Sequence, residues 1–314
     1  MTSAWFIFIN LFLLVSIMLS GCGPVKSGAK RVSEAGIDTL NIAKYKILPK
    51  KDGPKKRVLI IPFTCAWEPL SGYGEKVSVR FARELKRLPG NILVYLPENP
   101  SAWKVSGPMP RFGIINLPGL IKDASKLNMN YLVTGIMDVM KAERRVNGVW
   151  PFRHFDQVFE AVMVINVIDT VTGALVESNM ESAEFAIPLK KMPKDQNKLF
   201  VKVLKQTMPS LLRRQTRLVA KVLQKDIWKA RILEVYNNPG KVKIGAGKDV
   251  GIKEGMLLKV FEWGKRINSP YASSFHCLGK KIGEIKIVSV KEHYSIAVPL
   301  NKADYRPGLP VVFD

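Results

Sequence analysis

Cysteine and histidine are scarce in this chain, three of each in 314 residues. So few thiols exclude a small disulfide-stapled scaffold. His154, His276 and His293 are far apart, and no pair has the spacing of a zinc site. A site built from His276, Cys277 and His293 would need separate strands to converge, and adjacent strand residues point to opposite faces. A phosphate loop is missing too. Gly247-Lys248 would need a glycine where Val242 stands and a hydroxyl where Asp249 stands. A dinucleotide fingerprint starting at Gly245 fails at Val250, and these glycines read as turns. No nucleophile elbow or zincin helix motif is present. Among carboxylates, Asp138, Asp156, Asp169 and Glu177 are the group that could converge. Asp138 reads as a strand end, Asp169 as a turn, and the others as a solvated sheet face. The expectation is a non-enzymatic protein with no catalytic residue, no metal and no cofactor.

Charge is absent from the first 21 residues. The apolar run Ala4–Leu19 is shorter than the roughly 20 residues of a spanning helix, and it closes on Leu19-Ser20-Gly21-Cys22. This box resembles the bacterial lipoprotein signal. The resemblance implies removal of Met1–Gly21, diacylglycerol on the Cys22 thiol, and a membrane partner reached through that lipid anchor. Two or more acyl chains hold stably. Met1–Trp5 has no Lys or Arg, a departure from the usual positive start, and an ordinary secretory signal or an uncleaved anchor are the alternative readings. Gly23 follows the cysteine where an Asp usually marks inner-membrane retention. The outer membrane, on its periplasmic side, is therefore the expected location.

Acidic residues are the other shortage: 26 against 49 Lys and Arg, a net charge of +23. So basic a balance ordinarily suggests nucleic acid, but the expected export makes that a poor partner, and none is expected. The polyanions within reach would be lipid headgroups, lipopolysaccharide phosphates, acidic cell-wall polymers and acidic proteins. Cys65 and Cys277 fall in different expected domains and read as two buried thiols, although the compartment permits their pairing.

Removing 21 residues leaves 293 (314 − 21), which suggests two domains. Hydrophobic residues make up 47% and aromatics 9%, as in globular proteins. Residues 22–56, polar and basic, read as a tether. Residues 57–225 read as an α+β domain. Its expected elements are a strand at Val58–Phe63, a helix at Glu75–Leu88, a strand at Asn91–Leu96, a helix at Leu117–Leu127 and a strand at Tyr131–Met140. Gly135 marks a bulge or close backbone approach. A hairpin of Phe155–Ile168 and Ala174–Ile187 turns on Asp169–Gly173. A helix over Lys194–Leu223 is expected to break or kink at Pro209, with Leu211, Leu218 and Val222 as its apolar stripe. Residues 226–314 read as a small β domain with strands at Trp228–Val235, Lys241–Ile244, Met256–Glu262, Lys281–Val290 and Ser295–Leu300. Val162–Ile168 is apolar on both faces and Lys141–Asn147 is too charged to face lipid, so no membrane pore is expected.

Two basic stripes are the candidate partner-binding residues: Lys76, Arg80, Arg83 and Arg87 on the first helix, and Arg213, Arg214, Arg217 and Lys221 on the last. Helical spacing puts each set on one face. A solvated face is the commoner meaning; if the two faces are coplanar, an acidic partner or anionic polymer is the natural ligand.

Val58–Phe63, Asn128–Gly135 and Ile168–Gly173 form an ordered set. It resembles the periplasmic α+β domain of the curli-secretion lipoprotein, the penicillin-binding-protein activator lipoprotein and the amino-terminal part of the Tol-Pal propeller protein. Ile244–Gly247, Gly251–Gly255 and Ile282–Ile285, followed by Ser295–Ala297, resemble the SH3-like domain that ends flagellar assembly protein T. The resemblances imply an α+β fold, a mixed-sheet domain followed by a small SH3-like β-barrel. They also imply an envelope scaffold serving the flagellar basal-body ring, able to self-associate and to contact periplasmic envelope proteins. The alternative is a cell-wall-synthase activator or an accessory of polysaccharide or fibre secretion.

Overall fold

The computed structural model describes residues 53–66, 71–105, 113, 117–236, 240–269 and 274–313. The signal, Cys22 and most of the tether lie outside the described residues.

Short apolar runs, rich in β-branched residues, build the first half. Its strands are β1 (Lys56–Ile60), β2 (Thr64–Cys65), β3 (Ile92–Tyr95), β4 (Tyr131–Asn147), β5 (His154–Asp169) and β6 (Leu175–Pro188). The sheet order is β3-β1-β4-β5-β6, with β2 pairing farther along β4. β1 is parallel to β3 and β4, and β4, β5 and β6 are antiparallel. Three helices pack on it: α1 (Ser71–Arg87), α2 (Pro118–Lys126) and α3 (Gln196–Lys225). Successive strand residues point to opposite faces, so the sheet carries two cores. On one side, Phe81 and Leu85 of α1 and Leu211 and Val219 of α3 pack against Val58, Val133 and Met163. On the other, Ile121 and Ala124 of α2 pack against Leu59, Leu132 and Val164. Val162–Ile168 is buried throughout, as a central strand covered on both faces should be.

The turn into β6 follows its side-chain chemistry. Asp169 Oδ1 accepts from the N–H groups of Val171 and Thr172 at 2.8 and 3.2 Å, and Gly173 has φ of +82°. Gly135 is a close approach. It pairs in register with Ile165, and a Cβ there would stand 2.6 Å from the Phe63 ring.

α3 differs from its expectation. Asp195 caps it by accepting from the N–H groups of Asn197 and Lys198, and the helix continues unbroken past Pro209. The flanking Met208, Leu211 and Leu212 are buried in the core, and that packing outweighs one lost backbone bond. Leu218 and Val222 are only half-buried, while Gln215, Thr216 and Val219 are buried. Gln215 is accommodated because its Nε2 donates to the carbonyls of Met163 and Asn179.

The second half is a closed ring of antiparallel strands: β7 (Trp228–Tyr236), β8 (Lys241–Ile244), β9 (Leu257–Ile267), β10 (Phe275–Val290), β11 (Ser295–Pro299) and β12 (Pro310–Phe313), ordered β10-β11-β8-β7-β12-β9. Ile232, Val242, Leu258, Val260, Ile285 and Val311 fill it. β12, which closes the ring between β7 and β9, was not among the expected strands. Pro310 opens this strand, where its missing N–H is tolerated. The fold is α+β: a mixed sheet with helices, followed by a closed six-stranded barrel.

Sheet and barrel meet across a polar seam inside one compact unit, Lys50–Asp314. Arg57, buried on β1, pairs with Asp249 of the barrel and donates through Nη1 to the Gly245 carbonyl at 2.7 Å. Lys229 on β7 bridges Asp169 at 3.0 Å and Asp226 at 2.9 Å. The Tyr131 hydroxyl donates to Asp226 at 2.6 Å. Lys56, assigned to the tether by sequence, is the first residue of β1 and is buried, with its Nζ donating to the carbonyls of Leu223 and Asp226. Cys65 is buried on β2, and Cys277 is half-buried on β10.

Candidate functional site

The two basic stripes lie in one helical layer. Because α1 and α3 bury residues in the same core, their opposite faces both point away from the sheet. Lys76, Arg80, Arg83 and Arg87 are all exposed on α1, as are Arg213, Arg214 and Lys221 on α3, while Arg217 is half-buried. The stripes are not uniform. Arg80 pairs with Glu84 at 3.2 Å, a surface contact of small energy. Arg214 turns to the sheet edge, where it pairs with Glu181 at 2.8 Å and donates to the Ser182 carbonyl at 2.6 Å. At about 1.5 Å per residue, the stripe runs about 17 Å along α1 from Lys76 to Arg87 and about 12 Å along α3 from Arg213 to Lys221. That length suits an extended anion better than a point ligand.

A cleft of about 740 Å³ opens above the seam, between α2, the Asp169–Gly173 turn and the barrel. Sequence reasoning missed it. Among the described residues its lining includes Lys122, Lys126 and Arg231 and no carboxylate. The Arg231 guanidinium lies 5.7 Å from the centre of the Trp263 ring, which in turn tilts against His276 at 5.5 Å. Arg231 Nη2 donates to the Thr170 carbonyl at 3.1 Å, while Arg231 Nε and His276 Nδ1 are buried without a hydrogen-bond partner. Burial holds the Arg231 pKa below the ordinary guanidinium range, opposed by Asp169. Lys126 is paired with Asp123 at 2.9 Å and Arg231 interacts with Asp169, so the positive field of the cleft is partly neutralised. The available signal was the pair Lys229 and Arg231, two cations two residues apart on a strand whose other charged residue is Glu234, and therefore on one face.

Other sequence candidates stay apart. Asp156 and Asp169 sit near opposite ends of β5, about 40 Å from each other at strand rise. Asp138 accepts from its neighbour's N–H at Val139, and Asp156 accepts from Asn147. His276 faces the cleft, whereas His293 sits 3.6 Å from Asp249. Among the described residues no three His, Cys, Asp or Glu side chains could hold a metal together, and no helix is long and apolar enough to cross a membrane.

No protein-family model matches the chain, and no curated protein sequence does. Solved structures give distant likenesses. A homolog of neuraminyllactose-binding hemagglutinin from Helicobacter pylori is 12% identical over 55% of this chain and 89% of that one, with a TM-score of 0.35. The PelC dodecamer from Paraburkholderia phytofirmans is 16% identical over 55% of this chain and 89% of that one, at 0.26. A lipoprotein from Neisseria meningitidis is 11% identical over 53% of this chain and 99% of that one, at 0.26.

Proposed function

We propose that the chain is a non-enzymatic envelope lipoprotein, held by acylated Cys22 to the periplasmic leaflet of the outer membrane, that serves as an accessory of polysaccharide secretion. The observation that carries this reading is the extended basic layer of α1 and α3. Charge spread along two adjacent helices neutralises successive charges of an acidic polymer without a pocket for any one residue, and releases counterions as it does so. The barrel, fixed to the sheet through the seam, is left free for a protein partner. The flagellar ring and the cell-wall synthase are the second reading, in which the same layer meets an acidic protein.

The test replaces Lys76, Arg83, Arg87 and Lys221 by Glu and measures retention on polygalacturonate, an unbranched acidic polysaccharide, over a range of salt. Expected is salt-sensitive retention of the natural chain and its loss in the variant. Unchanged retention by the variant overturns the reading. Affinity capture from envelope extracts separates the two readings, since enrichment of flagellar or cell-wall proteins without secretion components favours the second.

A further inference from the structure

β4 and β5 run past the last β5–β6 pair, Asp156 with Pro188, and end in a two-stranded arm. From Met140 to Phe155 every residue is exposed. The arm ends in Val149-Trp150-Pro151-Phe152, closed by the Phe152 N–H donating to the Val149 carbonyl at 2.6 Å. Trp150 is 81% exposed and Phe152 80%, while Val149 and the cross-strand pair Val146 and Phe155 are each more than half exposed. Gly148, at φ +91°, leaves no room for a side chain, because a Cβ there would lie 2.5 Å from the Phe152 carbonyl oxygen. The turn is therefore held in the shape that presents the two aromatic rings.

Contiguous exposed apolar surface of this kind marks an interaction site. What it meets is indicated by its flanks. Residues 141–155 carry Lys141, Arg144, Arg145 and Arg153 against a single carboxylate, Glu143, and Glu143 is paired with Arg145 at 3.0 Å. An apolar tip of Trp and Phe collared by cations matches the layering of an anionic membrane, where aromatic rings settle at the headgroup level and Lys and Arg meet phosphates. We infer that the β4–β5 arm is a membrane-seating wedge, with Trp150 and Phe152 entering the headgroup and upper acyl region of an anionic lipid leaflet and Arg144 and Arg153 contacting lipid phosphates. The wedge lies on one leaflet and does not cross it, since two strands leave backbone groups that only a closed barrel satisfies in hydrocarbon. It operates independently of what the helical layer binds.

The test uses the chain from residue 22 with Cys22→Ser, so that no acyl chain contributes, and sedimentation with vesicles of phosphatidylcholine alone or mixed with phosphatidylglycerol. The chain is expected to bind the anionic vesicles and to bind neutral ones more weakly. Replacing both tip aromatics, Trp150→Ser with Phe152→Ser, is expected to weaken anionic binding by about tenfold or more. Arg144→Gln with Arg153→Gln is expected to lower binding to anionic vesicles by roughly tenfold and leave neutral vesicles unaffected. All four positions are exposed, and an unchanged melting midpoint will show that the variants fold. Absence of vesicle binding by the unsubstituted chain, or equal binding by the tip variant, overturns the wedge. So does a lipid-free oligomer that the tip substitutions dissociate, because the tip would then join copies of the chain.

Discussion

Arg57 of β1 holds Asp249 of the barrel in a two-pronged grip, Nε to Oδ2 and Nη2 to Oδ1, both at 2.9 Å. The pair joins residues 192 positions apart and ties the first strand of the sheet to the 3-10 turn Lys248–Val250 of the barrel. A buried pair of this kind adds little over a well-packed apolar one, but removing one partner strands the other charge.

Arg57→Ala or Asp249→Ala should each cost about 3–5 kcal/mol, read as a lowered midpoint in urea. Arg57→Met with Asp249→Leu should recover much of that loss, giving a large coupling energy in the double-mutant cycle. Single substitutions that cost under about 1 kcal/mol would show that the grip is solvated and weak.

The seam also makes stability depend on pH. Burial opposes ionisation of Asp226, yet hydrogen bonds from Lys229 and Tyr131 outweigh it and hold the carboxyl below its usual range. Burial likewise opposes the charge on Lys229, while Asp169 and Asp226 raise its pKa above the ordinary lysine value. A lowered carboxyl contributes stability above its unfolded pKa of about 3.9 and loses it as pH falls through the folded value. A raised lysine contributes below about 10.4 and loses it as pH rises through the folded value. The contribution of this pair should therefore be constant between these limits, fall below about pH 4 and fall again above about pH 10.4. Asp226→Asn should cost about 1–3 kcal/mol at neutral pH and flatten the acid limb, measured by urea midpoints across pH. An unchanged acid limb would assign the effect to other carboxylates.

Gly135→Ala should destabilise the sheet by about 1–3 kcal/mol, because its Cβ would meet the Phe63 ring. Phe63→Leu in the same chain should relieve part of that cost. Additive losses in the double variant, judged by urea midpoints, would mean that the ring is not what Gly135 accommodates.

Acylation of Cys22 is expected from the Leu19-Ser20-Gly21-Cys22 box. Intact mass of the mature amino terminus should show a lipidated cysteine as the first residue, and Cys22→Ala should release the chain from membranes or block its processing. An unmodified thiol, or a mature chain beginning elsewhere, would remove the anchor from the proposed function.

Elements with a clean period were legible in the sequence. The β5–β6 hairpin matched to within a residue at most ends, because Asp169 and Gly173 specify the turn and apolar runs define both strands. α1 was legible through Val77, Phe81 and Leu85. The charged end of β4 was not, since Lys141–Asn147 is exposed on both faces and shows no alternation to read. The seam was hidden for a different reason. Its pairs form between segments far apart in the chain, and no local pattern tells Lys56 and Arg57, which are buried, from Lys55, which is exposed. Of the candidate site, helical spacing placed both basic stripes on outward faces. That they share one layer depends on how α1 and α3 pack.

β5 begins with His154 beside the aromatic tip and ends at Asp169, which Lys229 ties to the barrel. At about 3.3 Å per residue, its 16 residues span about 50 Å. One continuous strand, hydrogen-bonded along both sides for most of its length, thus serves as a spacer. Anything that met the tip would therefore stand about 50 Å from the end of the strand that Lys229 ties to the barrel.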